Sequence, residues 1–370
     1  MKNKICMYLP PFAGDYSGVA SALFDLGGML CIHDAAGCTG NYTHFDEPRW
    51  YGSEAMVYCT GLRKMEAILG DDEKFIKRII DNALEKQPKF IAIIGSPVPN
   101  VIGFDFKGVA NAIEKRTGIP TFGFATAGIK GSYKDGIVMA AKALFQYYDS
   151  HDQKEEGLKY TAFPGISPLD MPQEIYERIQ RQAKANGAEL IQEKGMYGSL
   201  DFYKNPRSIK QNVVLNQAGY EIAKYMQEKY GTPFTIGFSI GENQPEINAI
   251  NESSVKGLLI ADGVIGLSIK KYLNSLGLNV NIGVISGRFE GAIDLTNEDK
   301  IMDEITAGYD FIIADPLILE LAPEGVDKIS LPHYAVSSRV KKAENWNYLD
   351  TENWGKRLGD YVNLANEKLA

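Results

Sequence analysis

One short stretch does most to decide the fold: residues 28–41, which read GMLCIHDAAGCTGN. Its apolar first part, 28–32, is bounded by glycine and predicts a short buried strand. Cys38 then lies just past the carboxyl end of that strand, where open α/β sheets gather their ligands and cofactors. The flanking Gly37 and Gly40 let the backbone come close to a bulky group, as an iron–sulfur cluster requires.

A second thiol repeats this placement. Cys59 follows the short apolar segment 55–58, again at its carboxyl end. Two thiols at two such ends are typical of a metal site, although they are half of the four thiolates of the usual cluster. Taken alone, they fit a structural role better, because a free cysteine commonly behaves as a small buried hydrophobe. Cys31 and Cys6, within apolar runs, are interpreted in that way. The chain has no CxxC pair, so zinc-finger and thioredoxin-like sites have no support.

The bulk composition indicates an ordinary globular protein. The chain has 370 residues, 45% of them hydrophobic and 23% charged, which is enough for two or three domains. Its net charge of −8 leaves no basic stripe to neutralise phosphates, so nucleic acid is not expected as a partner. No apolar run reaches membrane-spanning length and the first residues carry no signal-peptide core. We therefore expect a cytoplasmic protein without membrane association, whose four cysteines stay reduced.

Apolar strands and amphipathic helices alternate almost throughout the chain, which predicts an α/β fold with parallel sheets. Three units of similar size are expected: 1–150 with the two thiols, 151–255, and 256–370 with a terminal helix. The polar run 149–156 is interpreted as a linker after the first unit. In the second unit the pattern predicts a strand over 189–191 and one long helix over 209–230.

Several motifs resemble the nitrogenase component 1 family, which contains the molybdenum–iron protein chains and the dark-operative tetrapyrrole reductases. Residues 33–38 match the family's His-Gly-Pro-x-Gly-Cys run at the histidine, glycine and cysteine. Residues 68–74 resemble its Val-Phe-Gly-Gly-x-x-Lys helix start, and residues 226–234 resemble the corresponding second-domain segment. The runs 9–13 and 46–50 are similar to those of a short clostridial-type branch. The resemblance covers nearly the whole chain and implies three Rossmann-like domains around a central cleft.

Three positions depart from the family pattern. The family's first cluster cysteine falls near Phe12, its third at Ser96, and the cysteine that holds the nitrogenase cofactor near Leu215. An eight-iron cluster of the usual kind and a molybdenum cofactor held in the usual way are therefore not expected. Dinitrogen reduction is not expected either.

The resemblance favours Cys38 as a thiolate ligand of an iron–sulfur cluster. Cys59 matches no standard ligand of the family, but its strand end is expected to open towards the same cleft. One [4Fe–4S] cluster is expected where this chain meets a second copy or a homologous chain across a two-fold axis, each chain giving both thiols. Ser96 either lies near the cluster or ends a strand. His33 either donates to a cluster sulfur or is a core histidine.

Three further side chains are candidates for substrate chemistry. His333 falls where the catalytic chain of nitrogenase has the histidine that binds its cofactor, and a histidine can deliver protons near neutral pH. Arg49 is a candidate anchor for an anionic group, with an ion pair to Asp46 or Glu47 as the alternative. His44 is a proton-donor candidate or a surface histidine.

The family implies an electron-accepting reductase component. The resemblance also implies that its low-potential electrons come from a separate ATP-hydrolysing reductase resembling the nitrogenase iron protein. The lack of a phosphate-binding loop in this sequence is consistent with that. The small-molecule substrate stays open. A non-catalytic cluster carrier or cofactor-assembly scaffold is the alternative. A serine hydrolase is a weaker one: residues 237–241 match the G-x-S-x-G pattern around Ser239, with Asp315 and His333 following in hydrolase order.

Overall fold

Three sheets, one after another along the chain, form the framework of the computed structural model. The structure describes residues 7–9, 12–151, 157–192, 196–241, 255–285, 287–332 and 347–367. Every strand pairing within these sheets is parallel. The α/β fold with parallel sheets that the sequence predicts is therefore confirmed. The expected boundaries near 150 and 255 stay predictions.

The first sheet carries the two candidate thiols. Its strands are β1 Met29–His33, β2 Met56–Cys59, β3 Ile91–Gly95 and β4 Thr121–Phe124. They lie in the order β2-β1-β3-β4, so β1 is an inner strand and β2 is an edge strand. Because all four run the same way, the segments after β1, β2 and β3 meet at one edge of the sheet.

The other two sheets follow the same parallel scheme. The second has β5 Tyr160–Ala162, β6 Ile209–Val214 and β7 Phe234–Ile236, in that order. The third has β8 Lys256–Ile260, β9 Asn279–Val284, β10 Ile293–Asp294, β11 Phe311–Ala314 and β12 Asp327–Ser330. Its spatial order is β10-β9-β8-β11-β12.

Helices flank all three sheets. In the first unit they are α1 Asp15–Leu23, α2 Gly37–Asn41, α3 Lys64–Leu69, α4 Asp72–Lys86, α5 Pro97–Val101, α6 Phe106–Thr117 and α7 Tyr133–His151. The second unit has α8 Gln173–Ala185, α9 Leu200–Lys204 and α10 Gln217–Tyr230. The third has α11 Gly263–Ser275, α12 Glu298–Ile305, α13 Pro316–Leu319 and α14 Thr351–Glu367.

The period of two along a strand gives the first sheet two apolar faces. Leu30 and Ile32 pack on one face against α1 and α7, while Met29 and Cys31 pack on the other against α4 and α6. Burial raises the pKa of the Cys31 thiol to about 12, which agrees with its interpretation as a core residue.

Helices α1 and α7 approach each other closely because glycines line their contact. A Cβ added at Gly18 would lie 1.9 Å from the carbonyl oxygen of Tyr133, and one at Gly136 would lie 2.0 Å from that of Asp15. The same helix α7 also packs against the second unit, where Phe145 contacts the rings of Phe202 and Tyr203. It therefore ties the first sheet to the second.

A second core joins the second and third units. Its largest member is Trp354 of α14, which is fully buried and whose indole N–H donates to the carbonyl oxygen of Tyr348 at 2.7 Å. The early segment of the chain also reaches the third unit, because the Glu298 carboxylate accepts backbone hydrogen bonds from residues 7–9. All three sheets are thus packed into one body.

Two predictions for the second unit are wrong. Residues 209–214 form a strand rather than the start of one long helix, because β-branched Ile209, Val213 and Val214 favour an extended backbone. The helix begins only at 217, where the Asn216 side chain accepts the backbone N–H of Gly219 at 2.7 Å. The predicted strand over 189–191 is reduced to an isolated bridge between Leu190 and Thr161.

Among the described residues, no helix combines the length and the apolar character needed to cross a membrane.

Candidate metal centre

The two candidate thiols lie around one buried carboxylate at the edge of the first sheet. Asp34 follows β1 directly, and its carboxylate accepts from the backbone N–H and the hydroxyl of Thr39 at 3.0 and 2.8 Å. The Cys59 thiol, at the end of β2, donates to the same carboxylate at 3.1 Å. The backbone N–H of Gly61 in turn donates to the Cys59 sulfur at 3.3 Å. Asp34 thus fixes both the short helix α2, which carries Cys38, and the thiol of Cys59.

The loop before Cys38 is strained and open on its outer side. Ala36 has a φ of 139°, a region that favours glycine, and such strain often collects at functional sites. A Cβ added at Gly37 or Gly40 would meet no atom within 4 Å. Cys38 itself is half-buried, while Cys59 is exposed. The role of Gly37 and Gly40 in letting the backbone approach a bulky group stays a prediction.

The surroundings of Cys38 and Cys59 raise the pKa of both thiols. Burial and the charge of Asp34 raise the pKa of Cys38, and the Cys59 group adds to that rise. Burial and the hydrogen bond to Asp34 raise the pKa of Cys59. The Ser96 hydroxyl acts on Cys38 in the opposite direction, so the end of β3 contributes to this site as well. Its hydroxyl is buried and donates to the carbonyl oxygen of His33 at 2.8 Å.

The donor set fits half of an iron–sulfur cluster. Two soft thiols at one accessible sheet edge match the ligands that such clusters take. Within the described ranges, no group of three or more His, Cys, Asp and Glu side chains is placed to hold a metal ion. The sharing of one cluster between two chains stays a prediction.

His33 lies on the other side of the strand from the Asp34 loop. Its Nδ1 and the Thr60 hydroxyl share a hydrogen bond of 2.7 Å, and its ring packs between Phe75 and Phe104 with centroids 4.6 and 4.4 Å away. Burial and the charge of Arg78 lower its pKa to about 4, so it is neutral near pH 7. The ring lines a cavity of about 260 Å³ that α3, α4 and residues 102–105 enclose. Its predicted bond to a cluster sulfur stays a prediction.

Arg49 lies in a dense ion-pair network. Its guanidinium donates to Glu47 at 2.7 Å, to Asp25 at 2.6 Å and to the carbonyl oxygen of Ser21 at 2.9 Å. Burial alone would raise the pKa of Glu47, but the charge and hydrogen bonds of Arg49 outweigh it and lower that pKa. These contacts favour the ion-pair alternative, with Glu47 as the partner, over an anchor for an anionic substrate.

The remaining histidine candidates lie apart from these groups. His44 is exposed, and its Nδ1 lies 2.9 Å from the carbonyl oxygen of Gly40. His333, the predicted proton donor or ligand, lies outside the described residues, as does Cys6. Their proposed roles stay predictions.

The structure around the G-x-S-x-G pattern gives the serine-hydrolase alternative little support. Ser239 is exposed on the segment that follows β7. Asp315, the acid in the hydrolase order, is buried and caps α13 by accepting the backbone N–H of Leu317 at 2.9 Å. A helix cap is a sufficient structural reason for that carboxylate.

A second polar cluster, which no sequence motif indicated, is called here the three-unit junction. It consists of residues after strand ends in all three sheets: Lys134, Asp170, Asn216, Gln217 and Asp262. The Asp262 carboxylate accepts the backbone N–H of Gln217 at 2.8 Å, and the Asp170 carboxylate accepts the side-chain amide of Asn216 at 2.7 Å. Sequence position could have indicated this cluster, because the first turns of α10 and α11 come soon after β6 and β8.

Comparison with known proteins connects this geometry to a family. Residues 15–244 match the family model of nitrogenase component 1 type oxidoreductases. That span includes both candidate thiols and most of the second unit.

Two curated relatives share the name nitrogenase iron-molybdenum cofactor biosynthesis protein NifE. The one from Clostridium pasteurianum is 26% identical over 210 residues, which cover 55% of this chain and 44% of the relative. The one from Bradyrhizobium diazoefficiens is 23% identical over 218 residues, which cover 57% of this chain and 39% of the relative. The matches therefore span less than half of the length of either relative.

Two solved structures have the same fold over nearly their full length. Nitrogenase Cp1 at pH 5 superposes with a TM-score of 0.65 at 15% identity, covering 98% of this chain and 90% of that chain. Nitrogenase Cp1 at pH 6.5 gives a TM-score of 0.66 at 14% identity, covering 100% and 95%. At such identities the likeness shows the fold alone.

Proposed function

The chain belongs to the nitrogenase component 1 type oxidoreductase family, and from this premise we propose that it is the electron-accepting component of a two-protein reductase. Cys38 and Cys59 of two chains hold a [4Fe–4S] cluster, which supplies one-electron redox capacity when bound. A separate ATP-hydrolysing protein resembling the nitrogenase iron protein provides the electrons. The substrate is a small unsaturated molecule.

The observation that carries this proposal is the arrangement of the two thiols around Asp34. Cys59 is 3.1 Å from the Asp34 carboxylate, which also accepts the backbone N–H of Thr39, the residue after Cys38 in α2. One rigid group thus sets the position of two soft ligands on an accessible edge. Fixed ligand positions reduce the ordering cost of binding metal.

The neighbouring residues have defined tasks in this proposal. Asp34 orients Cys59 and, by its hydrogen bonds to Thr39, holds the strained loop at Ala36. Ser96 closes the end of β3 beside Cys38 and donates to the backbone of β1. Outer contacts of this kind position metal ligands and tune the metal they hold.

A cofactor-assembly scaffold is the second candidate. It is favoured by the two curated relatives, both named as proteins of nitrogenase cofactor biosynthesis. A scaffold uses the same thiols but releases its metal to an acceptor protein and forms no reduced product. The two candidates therefore share the metal centre and differ in what leaves it.

Anaerobic iron and sulfide analysis of the reconstituted full-length chain tests the metal centre. We expect about two iron atoms and two sulfides per chain, the share of one [4Fe–4S] cluster between two chains. Cys38→Ser and Cys59→Ser should each remove most of that iron. Cys31→Ala is the matched control, because this thiol lies in the apolar core, and it should keep the iron.

The fate of the electrons then separates the two candidates. The reconstituted chain is mixed with an iron-protein-type reductase and ATP, and its visible absorption is followed. If the visible colour bleaches on reduction and returns when an unsaturated substrate is added, the reductase is supported. Iron transfer to an apo-acceptor without any such cycle supports the scaffold. A colourless chain that retains no iron refutes both.

A further inference from the structure

A carboxyl group that no motif indicated lies where the three units meet. Asp170 belongs to the turn after β5, and one of its oxygens accepts from the Ser167 hydroxyl and from the Asn216 side-chain amide, both at 2.7 Å. Within the part of the chain that the structure describes, its other oxygen accepts no hydrogen bond. The residue is half-buried, so that solvent reaches part of it at the three-unit junction.

The groups around Asp170 come from all three units. Asp262 faces it from the first turn of α11, and Tyr133 faces it from the first turn of α7. Lys134 lies beside Asp262, and its ammonium is 3.2 Å from where a Cβ of Gly287 would lie. The junction therefore holds two carboxyl groups and one ammonium at the carboxyl ends of strands from three sheets.

This setting keeps a proton on the carboxyl pair. Burial and the charge of Asp262 raise the pKa of Asp170 to about 7, while its two hydrogen bonds act in the opposite direction. Burial raises the pKa of Asp262 to about 6, partly offset by three backbone N–H donors and by Lys134. Two coupled acids of this kind share protons over the neutral range.

We propose that Asp170 is a proton donor to the substrate at the three-unit junction. The proposal rests on the proposed reductase function and adds the source of the proton. It follows from the free carboxyl oxygen, the half-buried position and the polar groups that converge there from three units. Asp170 adds a carboxyl group to the histidines that the sequence offers as proton donors.

The step balances in electrons and protons. An unsaturated bond takes two electrons, one at a time, from the reductase. The Asp170 O–H bond breaks as its proton bonds to one atom of the substrate, and a second proton from water bonds to the other. The carboxylate that remains is reprotonated from solvent, which the half-buried position permits.

Infrared spectroscopy of the full-length protein tests whether Asp170 holds the proton. We expect a protonated-carboxyl band at about pH 6 that Asp170→Asn removes and that disappears at about pH 9. Asp315→Asn is the control, since it changes a different carboxyl, a buried one that caps α13 away from the junction. The band should survive in the control. Its absence from the wild type at pH 6 overturns the proposal, whether or not the chain binds iron.

Turnover tests whether the proton reaches a substrate. With the iron-loaded chain, the reductase, ATP and acetylene as the probe, Asp170→Asn should form ethylene at least about tenfold more slowly. Asp170→Glu should restore part of the rate with a shifted pH profile, which a merely structural residue would not do. Equal rates in wild type and Asp170→Asn overturn the proposal. If the wild-type chain binds no iron, or is not reduced by the reductase, the proposed function itself has failed.

Discussion

Gln217 and Asp262 bind each other across the boundary between the second and third sheets. The backbone N–H of Gln217 donates to the Asp262 carboxylate at 2.8 Å, and the Gln217 side-chain oxygen accepts the backbone N–H of Gly263 at 3.1 Å. The first turns of α10 and α11 are therefore joined in both directions. Such reciprocal bonds keep the two carboxyl-end edges in register and hold Asp262 near Asp170. A change in the charges of the three-unit junction should therefore change the free energy of unfolding of the whole chain.

Asp170→Asn should change how stability depends on pH. The folded pKa of about 7 lies above the ordinary 3.8, so between these values the folded chain keeps a proton that the unfolded chain has released. The stabilisation is complete below the ordinary value and is lost as pH rises through about 7. Relative to wild type, the Asn variant should gain roughly 1–2 kcal/mol between about pH 5 and pH 8. Urea unfolding at these pH values measures the difference, and a gap that does not vary with pH contradicts it.

His33→Gln should show the opposite sign. The folded pKa of about 4 lies below the ordinary 6.5, because the buried ring is costly to protonate. Stability from the neutral ring is complete above the ordinary value and is lost as pH falls towards 4. The Gln variant should therefore lose less stability than wild type on acidification from about pH 7 to pH 5. Urea unfolding at these pH values measures the difference, and equal losses in the two proteins contradict it.

The alternation of strands and helices could be predicted from the sequence. The side-chain contacts between the three units could not. Short strands with flanking glycine, such as 28–33, carry their own signal because both faces of an inner parallel strand are apolar. The strand at 209–214 was missed because polar Lys210, Gln211 and Asn212 interrupt its apolar run and resemble an amphipathic helix. A period alone does not separate these two cases.

The candidate site likewise has a part that the sequence could predict and a part that it could not. Cys38 and Cys59 were candidates because each was predicted at or just past the carboxyl end of a strand, and the parallel register brings such positions to one edge. The role of Asp34 between them depends on a side-chain orientation that no spacing reveals. Asp170 and Asp262 are 92 positions apart in sequence numbering and lie in different units, so only packing brings their charges together.

Arg49→Ala should destabilise the chain strongly without changing the metal centre. The substitution leaves the buried Glu47 carboxylate without its cation, and breaking a buried ion pair costs about 3–5 kcal/mol. Chemical denaturation measures the loss. The double variant Arg49→Ala with Glu47→Gln is the matched control and should recover part of it, because no uncompensated charge remains. Unchanged stability with lost turnover would instead support Arg49 as a substrate anchor.

Gly18→Ala should disrupt the contact between α1 and α7. The new methyl group would lie 1.9 Å from a backbone oxygen, which cannot move like a flexible side chain, so we expect a loss of at least about 3 kcal/mol. Gly355→Ala and Gly359→Ala are matched controls inside α14, where a Cβ meets no atom within 4 Å. They should stabilise the chain by about 0.5–1 kcal/mol, since alanine is the better helix former. Equal effects at all three positions would contradict the close helix contact.

The apolar rim of the metal centre consists of exposed apolar side chains beside the two thiols, among them Leu69 and Val101. A charged residue placed there should dissociate the two chains and also release the cluster. Two short helices flank the thiol edge, α3 after β2 and α5 after β3, and both expose large apolar side chains: Leu69 is 70% exposed and Val101 is 84% exposed. If two such edges meet to complete four thiolates, these side chains become buried, and an unpaired charge there costs several kcal/mol. Leu69→Asp and Val101→Asp should therefore give monomers by light scattering and lose most of their iron on anaerobic analysis. Leu158→Asp is the matched control, an apolar residue of equal exposure on the segment after α7, and should stay dimeric with full iron. A rim variant that becomes monomeric yet keeps its iron would show that one chain completes the site alone.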